Sequence, residues 1–239
     1  MLWIKDKLSR IFLKKQPVQV PKEALEEICV FPLPNVVLIP GIVLPLHIFE
    51  ERYKMMTDDI LKKDRLLAMS WAKEATDGCK PNQICGAGSL SLIDKYPDGR
   101  ANVVLEGQMR MQIVDVLSET PYIRALAKEL PDIPFESVQK EQEYNDELRH
   151  LAHRYVFLSD EFPDDYLKYV TVFNKPHYLA DFIGYHFLPT AEAKQKHLET
   201  VSQQERVEKI ITFLNAQIKE LEKIASLSDK TINTVKIWH

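Results

Sequence analysis

Hydrophobic positions divide this chain into two main parts. From about residue 28 to 130, one helical stretch apart, they fall in short, β-branched runs bounded by proline and glycine; after Val138 they recur every three to four residues. The stretch 28–48, ICVFPLPNVVLIPGIVLPLHI, carries Pro32, Pro34, Pro40 and Pro45. Each proline lacks an N–H and pushes its predecessor toward extended geometry. Val36–Ile39 and Ile42–Leu46 therefore read as short buried strands joined at the turn Pro40-Gly41. A helix comes next, with Phe49, Tyr53, Met56, Ile60 and Leu61 on its apolar face and Glu50 pairing with Lys54. Leu66–Trp71 predicts another strand, and Ile84–Leu130 a β-rich block. Within that block Tyr96-Pro97-Asp98-Gly99 predicts a turn, because proline presets φ and glycine accepts a positive one. It joins Gly88–Lys95 to Ala101–Glu106; Gly107 punctuates before Met109–Leu117, and Thr120-Pro121 turns into Tyr122–Leu130. Strands at this spacing predict a small curled sheet or barrel.

Pro131 and Pro134 mark the change of period. Helices are predicted over about 139–158, 166–174, 174–187 and a short segment from Pro189-Thr190. A last helix is opened by the capping box Ser202-x-x-Glu205. Its stripe Val207, Ile210, Ile211, Leu214, Ile218, Leu221 and Ile224 needs partner helices, so 135–226 is expected to form a bundle. The tail 227–239 mixes polar and apolar residues without a readable period. At the other end, Ile4, Leu8, Ile11 and Phe12 share a helical face in a stretch, 1–15, carrying a net +4. Pro17 and Pro21 break that period and make the stretch up to residue 27 a linker. A basic amphipathic helix fits weak contact with an anionic membrane surface, and equally fits packing on the body of the same protein.

Composition narrows the function. The chain has 239 residues, 45% hydrophobic and 28% charged, and a net charge of −4, which leaves −8 outside 1–15. That balance argues against nucleic acid as a partner, which calls for a basic face. No G-x-x-x-x-G-K-[ST] run is present, so no P-loop is predicted. Cys29, Cys79 and Cys85 form no C-x-x-C pair and are odd in number, against a disulfide framework and in favour of a reducing, cytoplasmic setting. No apolar run approaches the ~18 residues of a membrane span, and Lys5 and Asp6 interrupt the first apolar run, unlike a signal peptide.

Candidate chemistry is thin. His150-x-x-His153 with Glu147 shares a helix face, but zinc needs further ligands that the neighbourhood does not supply, so neither metal nor cofactor is predicted. Cys79 and Cys85 match no finger spacing. Ser89, Ser91 and Ser118 lack a nucleophile elbow, and Asp164-Asp165 reads as a solvated helix start. His47, Glu50 and Arg52 stand where a strand becomes a helix; they read as satisfying one another and the backbone, with a cleft-lining role as the alternative. Arg100 comes just after a turn and reads as solvated; Arg110 could pair with Glu106 or with a partner's carboxylate. Phe31, Pro34, Val36 and Val37 sit on a proline-rich loop that hides apolar side chains poorly, which makes them candidates for partner binding, although Val36 and Val37 also fit the start of a core strand. A seam between the β and helical parts is another natural cleft.

Residues 31–56, FPLPNVVLIPGIVLPLHIFEERYKMM, resemble the opening signature of the Lon protease N-terminal domain family through Phe31-Pro32-Leu33, Val37-Leu38, Pro40-Gly41, Leu44-Pro45-Leu46-His47-Ile48-Phe49-Glu50 and Arg52-Tyr53. Shorter matches occur in order at Gly86-x-Gly88, Pro97–Arg100, Leu105–Arg110, Pro121-Tyr122, Leu179–Asp181 and Ala193–Gln195, so the likeness covers about 28–225. Pro40, Gly41, Pro45, His47, Glu50, Arg52, Tyr53 and Gly107 are its structural motif residues. The resemblance implies an α+β fold, a PUA-like β pseudo-barrel over 28–134 followed by a C-terminal helical bundle over 135–226. It also implies a non-enzymatic substrate-recognition domain standing without the ATPase and Ser-Lys protease domains. On that basis client polypeptides are the expected partners, with protease or chaperone components receiving them, through Phe31, Pro34, Val36, Val37, Arg100 and Arg110. RNA binding through the PUA-like fold and a membrane-peripheral regulator held by 1–15 are the alternatives.

Overall fold

The computed structural model describes residues 25–72, 81–159 and 165–235; the amphipathic 1–15 segment, its linker, Cys79 and Asp164 lie outside them. Two compact units result. The first joins residues up to 132 with 185–201; the second joins 133–184 with 202 onward.

The first unit is built on strands β1 (Glu26–Pro34), β2 (Val43–Ile48), β3 (Leu67–Ala72), β4 (Ile84–Lys95), β5 (Ala101–Ser118) and β6 (Ile123–Glu129), with helix α1 (Glu51–Lys63) between β2 and β3. The sheet order is β2-β5-β4-β3-β1-β6, and a further pairing of β5 with β6 closes the last five strands into a barrel. β1 and β3 run parallel, the other pairs antiparallel. One long strand makes closure possible: β5 pairs with β2 over Ala101–Glu106 and with β6 over Met111–Ser118. Gly107, expected to end a strand, lies inside β5 next to an irregularity in its pairing with β4. The barrel interior holds Ile28, Val30, Ala68, Cys85, Ala87, Met111, Ile113, Ala125 and Ala127. A second core, with Cys29, Phe31, Leu38, Tyr53, Met56, Ile60 and Leu105, packs α1 and the 35–42 segment on the sheet.

Val36–Ile39, expected as a strand, takes no place in the sheet, yet Val37, Leu38 and Ile39 are buried. Backbone crossing explains this. A Cβ at Gly86 would fall 1.9 Å from the Leu38 carbonyl oxygen, and one at Gly107 2.7 Å from that of Ile39. Gly41 and Gly107 then exchange hydrogen bonds with the crossing segment: Gly41 N–H donates to the Gly107 carbonyl and Gly107 N–H to that of Ile42, both at 2.8 Å. Only glycine permits so close an approach.

The second unit contains α2 (Val138–Leu158), α3 (Asp165–Val172), most of α4 (Pro176–Phe187) and α6 (Gln203–Val235). Leu148, Ala152, Leu179, Ile183, Val207, Ile210, Leu214 and Ile218 form its buried faces, which is the expected bundle. The Ser202 hydroxyl accepts from the Glu205 N–H at 3.2 Å, as the capping box requires. At its centre Arg206 is fully buried and its Nε lies 3.0 Å from Asp181 Oδ1. The tail without a readable period continues α6 to Val235, and Ile224, expected in the buried stripe, is exposed.

Helix α5 (Ala191–Glu199), capped by Thr190, belongs with the barrel rather than with the other helices. Two side chains fasten it: Gln195 Nε2 donates to the Ile84 carbonyl at 2.9 Å, and Arg110 Nε to that of Leu198 at 2.9 Å.

Candidate functional site

Strand alternation creates the site. Along β2, Leu44 and Ile48 point inward while Pro45 and His47 are exposed. That alternation carries past the strand end to Phe49, which precedes α1 and is 60% exposed instead of joining the apolar face of the helix. Beside it opens a cleft of about 140 Å³ lined by Phe31 and Leu33 of β1, Leu46, His47 and Ile48 of β2, Phe49 and Glu50 of the junction, and Tyr53 of α1. Seven of these eight side chains are apolar or aromatic, Glu50 being the exception. The Phe31 and Tyr53 rings meet in the wall with centroids 4.1 Å apart.

Polar groups hold the rim in place. His47 Nδ1 lies 2.7 Å from Asn102 Oδ1 and Asn102 Nδ2 donates to the Tyr96 hydroxyl at 3.0 Å, an arrangement in which His47 Nδ1 is the donor. His47 stacks on Phe49 and meets Tyr96 edge-on, so three aromatic rings stand together at the mouth. Arg52 lies 4.7 Å from the Tyr53 ring centroid and donates to Glu50 at 3.0 Å. The β4–β5 hairpin that carries Tyr96 is tied to α1 by Lys95–Asp58 at 2.6 Å and by Lys54 donating to the Asp98 carbonyl at 3.0 Å. Arg52, Lys54, Lys95 and Arg100 are each paired with a carboxylate, so this surface presents apolar area with its cations compensated. The Arg100 N–H groups hold the exposed Asp98 carboxyl below its ordinary range.

The structure brings some of the sequence-predicted residues together and separates others. Phe31 lines the cleft, and Pro34 and Val36 are half-buried. The expectation that Phe31 and Val37 stand on a loop unable to hide them is corrected: Phe31 is buried as part of β1, paired opposite Met69 of β3, and Val37 is buried because its segment crosses the glycines of β4 and β5 at backbone distance. Arg100 is exposed, paired with Asp98 at 2.7 Å and placed against Tyr96. Arg110 is not open to a partner's carboxylate and does not pair with Glu106; it is 4% exposed and reaches Leu198 and, at 3.2 Å, Asp132. Of the junction residues His47, Glu50 and Arg52, His47 and Glu50 line the cleft while also bonding within the fold, and Arg52 pairs with Glu50 without lining it. The sequence pattern does not single out Phe49, Leu46, Asn102 or Tyr96 as site residues. The helical period claims Phe49, whereas continuing the period of two from β2 brings it out.

Reactive groups are not gathered here. Among the described residues no three His, Cys, Asp or Glu side chains stand in a metal-holding group. Cys29 and Cys85 are free and buried, and burial pushes their thiols up to about 11 and about 12. Among the described residues no helix is long and apolar enough to cross a membrane.

The class defined so far is an α+β domain whose barrel unit carries an apolar cleft with an aromatic mouth, a bonded polar rim and paired cations. Similarity to known proteins narrows the class further. Residues 27–216 match the ATP-dependent protease La (LON) substrate-binding domain, and the chain belongs to that family. It is 24% identical over 230 residues to a Lon protease of Dictyoglomus thermophilum, covering 94% of this chain and 28% of the protease. With a Lon protease of Syntrophus aciditrophicus it shares 28% identity over 201 residues, 81% of this chain and 25% of the relative. The chain thus spans about a quarter of the length of these proteases. Among solved structures, the N-terminal domain of Mycobacterium avium complex Lon protease superposes with a TM-score of 0.60 at 19% identity, covering 80% of this chain and 98% of that one. A Lon N-terminal domain protein from Xanthomonas campestris gives 0.57 at 16%, covering 78% and 98%. These neighbours share the α+β fold described above.

Proposed function

We propose that this protein binds segments of client polypeptides that expose large apolar side chains, seating them in the Phe31–Tyr53 cleft against Phe49, without itself performing chemistry on them. The observation that carries this is a preformed apolar cleft with a solvent-facing Phe49 at its mouth, in a chain of the substrate-binding family. Phe49 stacks on His47 yet stays 60% exposed, and exposed aromatics beside an apolar pocket are the usual anchors of recognition. Delivery of the captured segment to proteolytic or chaperone machinery, in a cytoplasmic setting suited to free thiols, completes the proposal.

The test is fluorescence anisotropy of a labelled, permanently unfolded polypeptide, reduced and carboxymethylated casein, titrated with the full chain. Saturable binding is expected. Phe49→Asp should weaken it about five- to thirtyfold, the ~1–2 kcal/mol released when the exposed part of a Phe ring is buried. Since Phe49 is largely solvated, the variant is expected to melt like the parent. Absence of saturable binding by the parent refutes the proposal; equal affinity of parent and Phe49→Asp refutes this location.

A further inference from the structure

Among the described residues, the end of β5 has a strand on one side only. Its pairing with β4 stops at Gln112, and the Ile113 N–H bonds to the Gln83 carbonyl at 2.7 Å. Beyond that point β5 pairs, among the described residues, with β6 alone. That same end of the strand exposes Val114, Val116 and Leu117. An open strand edge together with clustered apolar side chains is a feature that folded proteins ordinarily cover. Acidic groups flank it: Asp115 and Glu119 are exposed and carry no ion pair among the described residues. Basic neighbours on β6 are Arg124, bound to Glu27, and the exposed Lys128.

We propose that residues 1–15 of this same chain dock on the Val114–Leu117 ridge. Three features specify that occupant. First, position: the described chain begins at Leu25, itself 51% exposed, and Glu26 pairs with Ala127 of β6, which pairs with Ile113 of β5. Leu25 is therefore about two strand spacings, roughly 10 Å, from β5, and the ten residues from Gln16 to Leu25 span up to ~33 Å. Second, complementary surface: Ile4, Leu8, Ile11 and Phe12 supply an apolar face at helical spacing. Third, charge: Lys5, Lys7, Arg10, Lys14 and Lys15 meet Asp115 and Glu119. The segment 73–80, KEATDGCK, has no comparable apolar face.

The test uses the full chain and full-chain variants. A zero-length carbodiimide cross-linker should join a lysine among Lys5, Lys7, Lys14 and Lys15 to Asp115 or Glu119, within one chain when isotope-labelled and unlabelled protein are mixed. Leu8→Glu should abolish that cross-link and speed amide hydrogen exchange over residues 114–118. Flotation with phosphatidylserine-containing vesicles should rise in Val116→Lys, because the basic segment is released. The proposal is overturned if no such cross-link forms while exchange at 114–118 is the same in parent and Leu8→Glu. Cross-links found only between chains, or equal flotation of the parent and Val116→Lys, overturn it as well, the last assigning the segment to a membrane surface.

Discussion

Replacing Arg110 by methionine separates the two roles that the sequence left open for this residue. Its guanidinium is almost wholly buried, donates to the Leu198 carbonyl at 2.9 Å and lies 3.2 Å from Asp132. A hydrogen bond from a charged donor to a buried carbonyl contributes ~1.5–3 kcal/mol. The Asp132 carboxylate is partly open to solvent, so that half of the arrangement adds at most ~1 kcal/mol. Methionine fills much of the same volume, leaving an expected loss of about 2–4 kcal/mol. For a protein of this size that lowers the melting temperature by roughly 5–15 °C. Thermal melts monitored by far-ultraviolet circular dichroism measure the shift. Hydrogen exchange should quicken selectively over α5, residues 191–199, which the bond fastens to the barrel. At 20 °C, where the variant is folded, its affinity for unfolded casein should equal the parent's. An unshifted melt with unchanged exchange in α5, accompanied by lost affinity, would show that Arg110 touches the ligand and that the clamp is misread.

Buried charge leads to two further expected outcomes. Asp181→Ala should destabilise the helical unit by about 3–5 kcal/mol, because it removes a carboxylate from beside the buried Arg206 guanidinium, whereas Asp181→Leu with Arg206→Met should recover most of that loss; urea titration of both variants is the check, and equal destabilisation would contradict it. Burial holds the His186 imidazole down to about 4. The unfolded chain therefore takes up the proton first, so the contribution of neutral His186 is complete above about pH 6.5 and is lost as the pH falls toward 4. His186→Leu should flatten the stability–pH curve in that window, and an unchanged slope would remove His186 as a cause.

Local chemistry made much of the fold legible. The turn at Tyr96–Gly99, the helix start at Pro189-Thr190, the Ser202 cap and the Val207–Ile218 stripe each act within a few residues, and each stands where the sequence places it. What escaped depends on partners far away in sequence. Gly107 looks like a stop until the Ile39 carbonyl is known to press on it. Val36–Ile39 have the composition of a strand, but burial came from crossing two strands rather than pairing with one. The Arg110 acceptor lies 88 residues away. In the cleft, His47 and Glu50 were visible with Arg52 as a junction and Tyr53 as part of a helix face, but Phe49 was hidden by ambiguity between two periods where β2 gives way to α1.

The barrel unit is assembled from two stretches of chain, with 133–184 intervening before 185–201 arrives. On a ribosome, all six strands have emerged well before the Leu198 carbonyl and Gln195 side chain exist, so the Arg110–Leu198 and Gln195–Ile84 bonds wait through the synthesis of three helices. A gene fragment ending near residue 134 reproduces that waiting state permanently. Useful dissection of this protein therefore begins with fragments that extend past Val201, however self-sufficient the strands look on paper.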